Sequence, residues 1–350
     1  KLMSISKLSK LEKYSKIGRF QSETAAGITG ADIEATPGNG YKYFTFTSPG
    51  TANGQAGGLS FANTWDSSVI KGAAVGGGGG GSISVNFLIV AGGGGGQNGG
   101  GGAGGIVISS APHPMSGPVS ISVGSGGTRW IPGSPSTPAT RGGDSSFGSI
   151  TAKGGGAGGS GSMDGGNGGG RDSAGWSRIN GGPGTQPAQN PGISNITQYG
   201  NPGGSGAFYT GGGGGGGGAA GENAQATGFT NNTNQPSFGG NGQPFPLYTG
   251  DLIGLPSITP YQGGNGSWAG GGGGGSGRDG WVNNKGEADK PPHVPGGGGK
   301  ASDNDGSNQK GNTEAGIDGL GGGGGGNSNF GGPTPVSKDG GNGIVIIRTG

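Results

Sequence analysis

The amino-acid sequence predicts a mostly irregular and β fold: a bundle of polyglycine II helices with a small antiparallel β element closed by the C-terminal strand. Three observations predict it. Glycine supplies 102 of 350 residues, several times its usual share of about 7%. The glycines gather in runs at Gly76–Gly81, Gly92–Gly96, Gly99–Gly102, Gly154–Gly156, Gly168–Gly170, Gly211–Gly218, Gly270–Gly275, Gly296–Gly299 and Gly321–Gly326. Short β-branched, apolar runs stand before this stretch and again at the very end of it.

Composition bounds the reading. Leu, Ile, Val and Phe make up only about 15% of the chain, a level usually read as disorder. Disorder by composition also wants strong charge, and here the net charge is +2 with 11% charged residues. There is no Cys, hence no disulfide framework or thiolate metal site. No stretch approaches the roughly 18 apolar residues of a membrane-spanning helix. The basic N-terminal residues lack the apolar core of a signal peptide. Sparse Lys and Arg form no nucleic-acid footprint.

Residues 1–21 repeat as triplets that place Leu2, Ile5, Leu8, Leu11, Tyr14, Ile17 and Phe20 at every third position. On an α-helix a strict period of three spirals around the cylinder, whereas three residues per turn would align the row. Either way the segment reads as an attachment and oligomerisation arm, against the plainer reading of a frayed basic tail. Residues 22–40 form a linker ending in the turn Pro37-Gly38-Asn39-Gly40. Residues 41–123 form a strand-rich base. Its strands are Tyr41–Thr47, Ile83–Val90, Ile106–Ile108 and Val119–Val123, each alternating or β-branched. Residues 124–342 form the polyglycine bundle with variable aromatic loops. Residues 343–350 form the closing strand, with Ile344–Ile347 expected to return and pair with the early strands.

Fixing a six-glycine run costs on the order of 10 kcal/mol of backbone entropy. A left-handed threefold helix points every N–H and C=O outward, so neighbouring runs without Cβ atoms can satisfy one another's amides. Runs of five to eight residues would span roughly 15–25 Å. The segments between runs carry Trp130, Trp176, Tyr199, Phe208, Tyr209, Phe238, Tyr248, Tyr261, Trp268 and Trp281, residues that flexible linkers rarely contain.

Phe87-Leu88-Ile89-Val90-Ala91 running into glycine, then Gly104-Gly105-Ile106-Val107-Ile108, resembles the glycine-rich domain of bacteriophage tail proteins. The closing Gly340-Gly341-Asn342-Gly343-Ile344-Val345-Ile346-Ile347-Arg348 resembles that family's C-terminal strand, and Tyr43–Thr51 its opening strand and turn. By fold the chain is similar to the tip adhesins of T-even-type long tail fibres, where polyglycine II helices display receptor-binding loops. The resemblance covers residues 41–350 and implies a virion structural protein, a tail-fibre or tail-tip adhesin. Its partners would be other virion proteins at the arm, a host surface glycan or outer-membrane protein at the loops, and further copies of itself. A purely architectural protein, as a capsid decoration or a self-assembling extracellular filament, is the alternative.

No catalytic constellation stands out. His113 and His293 each sit beside prolines, and no paired carboxylates or nucleophile–base arrangement accompanies them. G-x-G-x-x-G patterns arise by chance at this glycine content. Asp303-Asn304-Asp305-Gly306 resembles part of a calcium loop, but Ala301 and Asn312 stand where ligating acids belong. The sequons at Asn195, Asn231 and Asn265 fit an Asn-rich loop protein. No enzyme activity, cofactor, metal, nucleic acid or membrane insertion is expected. Exposed aromatic rings suit glycan or protein recognition, which singles out Trp176, Tyr199, Tyr209, Tyr261 and Trp281 as receptor-binding loop residues. The plainer reading is that such rings cap the glycine bundle as a substitute core.

Overall fold

The computed structural model describes residues 31–49, 63–66, 83–115, 118–131, 136–159, 161–172, 179–186, 190–207, 211–224, 237–256, 267–268, 296–299, 303–304, 309–310, 313–326 and 337–350. The strands in chain order are β1 Ile33–Ala35, β2 Lys42–Phe46, β3 Asn63–Asp66, β4 Ile83–Val90, β5 Ile106–Ser109, β6 His113–Met115, β7 Pro118–Ser122, β8 Ser145–Phe147, β9 Ile150–Ala152, β10 Ile196–Tyr199, β11 Gln243–Pro244, β12 Ser267–Trp268, β13 Asp303–Asn304, β14 Gln309–Lys310 and β15 Ile344–Thr349. They build a large antiparallel sheet in the order β1-β2-β15-β4-β5-β10, with β6 also on β4. A second sheet has the order β3-β7-β8-β9, and β11-β12 and β13-β14 are two-stranded ladders.

The C-terminal strand does return to the early ones. β15 lies between β2 and β4, with Ile346 opposite Thr45 on one side and Leu88 on the other. Alternate side chains of a strand point to opposite faces, and both faces of this sheet are covered. Phe44, Phe46, Phe87, Ile89, Val107, Val345 and Ile347 share one buried cluster with Val119, Ile121, Phe147, Ile150 and Ala152 of the second sheet. Tyr43, Leu88, Val90, Ile106, Ile344 and Ile346 face the other way, under Phe245, Tyr248, Ile253, Trp268 and Leu320. Two-sided burial explains why β4 and β15 read as nearly unbroken apolar runs.

The expected bundle of polyglycine II helices with only a small β element is overturned. Regular structure among the described residues is mostly antiparallel sheet, and helical structure amounts to short 3-10 turns such as Pro246–Tyr248. The physical reason lies in where the apolar residues sit. Averaged over 350 residues they look too few for a core, yet they concentrate in β2, β4, β5, β7 and β15, where they bury two clusters.

The described glycine runs are neither helix nor strand. They pack as backbone against backbone beyond the sheet ends. Successive amides of the run after β4 reach different segments: Gly92 N–H donates to Gly143 O at 3.0 Å, Gly93 to Gly341 at 2.9 Å, and Gly94 to Gly102 at 2.8 Å. Gly95 then donates to Thr140 at 3.0 Å and Gly96 to Lys338 at 2.9 Å. Buried amides are thereby satisfied without secondary structure. A Cβ added at Gly94 would lie 2.6 Å from the Gly156 carbonyl carbon and nearer still to its oxygen. Only glycine fits at such a site. The runs at 76–81 and 270–275 lie outside the described residues.

Side-chain amides tie the two sheets together below the glycine layer. Buried Gln186 accepts the Lys153 N–H at 2.6 Å and donates to Thr151 O at 3.2 Å and to Gln198 Oε1 at 2.9 Å. Asn190 Nδ2 donates to the same Thr151 and Gln198 oxygens. β9 and β10 are joined through these amides rather than by a strand ladder.

Candidate functional site

The glycine layer has two ends, and they differ. One end carries the sheets. At the other, the run leaving β4 turns at Gln97–Asn98 and comes back through Gly99–Gly102 to β5. Around that turn the described flanks of five further stretches converge. These are the stretches 132–135, 173–178, 208–210, 225–236 and 327–336, which themselves lie outside the described residues.

Backbone and side-chain hydrogen bonds fix the convergence. Trp130 N–H donates to Gly96 O at 3.0 Å, and the Ser337 hydroxyl donates to Trp130 O at 3.2 Å, which holds the flanks of 132–135 and 327–336 together. Asn98 Nδ2 donates to Asp172 Oδ1 at 3.0 Å, bringing the start of 173–178 to the same turn. Beyond that stretch, Ile179 and Gly206 exchange two bonds of 3.0 Å. Gly212 N–H then reaches Arg171 O at 2.9 Å, and Gly100 N–H reaches Gly212 O at 3.1 Å. Ala224 N–H donates to Ser205 O at 2.7 Å, and the Ser237 hydroxyl donates to Gly211 O at 2.6 Å. The described residues that flank these five stretches are therefore bonded to one another around a single turn.

This end is also where exposed apolar side chains border the excursions. Ile131, Ile179 and Phe238 are 47%, 41% and 38% exposed. Ion pairs lie on the sides of the layer: Arg129 with Asp339, Arg141 with Asp164, and Lys153 with Asp144. All are half exposed, and pairs of that kind add about 0–1 kcal/mol each. Among the described residues no group of three or more His, Asp or Glu side chains could hold a metal ion.

The residues singled out from sequence fare unevenly. Tyr199 lies on β10, partly buried, its ring 5.6 Å from that of Phe245 and inclined to it by 65°. Its ring thus packs within the fold, not at the converging end. Trp176, Tyr209, Tyr261 and Trp281 lie outside the described residues, as do Leu2, Ile5, Leu8, Leu11, Tyr14, Ile17 and Phe20 of the arm. Tyr248 and Trp268 are buried beneath the large sheet's outer face, the substitute-core role. His113 lies on β6, its ring 5.7 Å from Phe87. Trp130 is half-buried at the convergence; nothing in the local sequence marks its place, which depends on bonds to Gly96 and Ser337.

Residues 83–350 match the family described as a glycine-rich domain, and the chain belongs to that family. Comparison with curated proteins gives no match. The family description names no virion part and no ligand.

Proposed function

We propose that this chain is a non-catalytic structural protein of a bacteriophage virion, a tail-fibre or tail-tip adhesin that binds the host cell surface through its chain excursions. The observation that carries the reading is the convergence of the flanks of five stretches on the turn at Gln97–Asn98, held by backbone and side-chain hydrogen bonds. A recognition surface needs variable segments on a support that does not move when they change. Glycine segments in backbone contact supply such support, since their order does not rest on the side chains of the loops. The resemblance of its strand and glycine motifs to phage tail proteins favours the location, and exposed apolar residues at the loop bases suit contact with a partner. The arm is assigned to other virion proteins or further copies of the chain.

Adsorption tests this reading. Replacing 225–236 and 327–336 in the virion by Gly/Ser segments of equal length is expected to abolish or redirect adsorption. Thermal stability should hold, because the anchors Ala224–Ser205, Ser237–Gly211 and Ser337–Trp130 stay intact. Unchanged adsorption and host range with both stretches replaced would refute it. Hundreds of copies per particle would instead fit the architectural alternative.

A further inference from the structure

At the end of β15 away from the Gln97–Asn98 turn stands a cation with no acid paired to it among the described residues. Arg348 is on β15, paired in register with Tyr43 of β2 and Asn86 of β4. It is only 8% exposed. One Nη donates to Asn86 Oδ1 at 3.2 Å, while Nε has no hydrogen-bond partner among the described residues. The guanidinium carbon lies 4.3 Å from the centre of the Tyr41 ring and 5.6 Å from that of Tyr248. The four ion pairs among the described residues all lie elsewhere.

The surroundings hold this geometry in place. The turn before β2 uses Gly38 and Gly40 at φ of 85° and 84°, backbone that other residues rarely adopt. Asn39 Oδ1 accepts the Tyr41 N–H at 3.1 Å, and its Nδ2 donates to the Tyr43 hydroxyl at 3.1 Å. The turn thereby sets the Tyr41 ring, itself 39% exposed, over the guanidinium. Asn86 is steadied in turn by donating to the Ser109 hydroxyl at 3.3 Å.

A guanidinium has five N–H donors, and desolvating one is costly unless its charge is met. Ring faces meet part of it. One amide oxygen is a weak remainder. We infer that Arg348, flanked by Tyr41 and Asn86, is a docking site for a carboxylate, which would complete the donor set with a charge-assisted bond. The carboxylate is either a free small acid or an acidic side chain on a second copy of this chain. The inference does not depend on the adhesin reading, because Arg348 pairs with Asn86 near the start of β4, away from the Gln97–Asn98 turn.

Acetate is the probe. In 15N–1H spectra of the full chain, the Arg348 side-chain signals are expected to shift saturably with acetate but not with chloride at matched ionic strength. Arg348→Lys should weaken the acetate effect about tenfold, because a point charge lacks the planar fork. Tyr41→Leu keeps the arginine while removing its stack, and should weaken binding without unfolding the chain. Sedimentation separates the two sources. A dimer that acetate dissociates, and that Arg348→Gln does not form, assigns the carboxylate to a second copy; a monomer that still binds acetate assigns it to a free acid. Absence of a saturable shift, or an equal acetate effect on the thermal midpoint of Arg348→Gln, overturns the inference.

Discussion

Substituting Gly94 by Ala tests whether backbone contact in the glycine layer holds the fold. The new methyl carbon would lie 2.6 Å from the Gly156 carbonyl carbon and 2.9 Å from Gly155 O, where ordinary contact begins at 3.4 Å. No flexible side chain stands there to move aside, so a whole segment must retreat by about 1 Å or more. Gly94 donates to Gly102 at 2.8 Å and accepts from Gly324 at 2.9 Å, and Gly156 accepts from Gly102 at 2.8 Å. Losing two of these bonds in a buried setting costs about 2–6 kcal/mol. The stiffer unfolded chain returns about 0.4–1 kcal/mol. Net destabilisation of about 1–5.6 kcal/mol is expected, read from the urea midpoint at constant m-value. Gly161→Ala is the control, because its methyl would meet nothing nearer than Ala139 O at 3.9 Å, and it should stay within about 0.5 kcal/mol of wild type. If Gly94→Ala proves as benign as Gly161→Ala, backbone contact is not what orders the layer.

Two further outcomes follow from the sheets. Residues 31–49 precede the family-matched region, yet β2 lines one whole side of β15 and buries Phe44 and Phe46 in the core. A fragment of residues 83–350 should therefore lose cooperative unfolding, and Phe44→Ala in the full chain should cost about 3–5 kcal/mol. A fragment with the full-length urea midpoint would show the hairpin to be an accessory. Burial pushes the Tyr248 hydroxyl well above its ordinary value, opposed by the Arg348 charge, reinforced by Tyr43 and opposed again by a hydrogen bond with Ser109. A raised folded-state value leaves stability untouched below the ordinary tyrosine range near pH 10 and removes it progressively as pH rises beyond. Alkaline unfolding of Tyr248→Phe should therefore fall less steeply, by up to about 1.4 kcal/mol per pH unit. Equal slopes in the two proteins would refute the assignment.

Much of the framework was legible locally. Strands at Ile83–Val90, Ile106–Ser109, Pro118–Ser122 and Ile344–Thr349 announce themselves through β-branched apolar runs, and the turn at Pro37–Gly40 through its Gly and Pro. Short strands such as β8 and β9 stayed hidden, because Ser-Ser-Phe and Ile-Thr-Ala are too brief to establish a period; only Gly148 at φ 60° marks their turn. β10 was missed for another reason. Ile196–Tyr199 alternates weakly, and its place beside β5 follows from pairing across some ninety residues of chain. Tyr199 looked like a loop residue in the sequence, and that pairing makes it a strand residue packed on Phe245.

The sequence by itself determined that glycine would be in backbone contact and that the last strand would close against the early ones. Both follow from local chemistry: a residue without Cβ permits close approach, and an apolar β-branched run must be buried. Tertiary structure alone decided that the organising element is a two-faced antiparallel sheet, and that the described flanks of five separate stretches meet at one turn. Those outcomes rest on which amide bonds to which distant carbonyl, such as Gly93 to Gly341 or Trp130 to Gly96. Identical glycines carry no local mark of their partner, so that choice belongs to the folded chain as a whole.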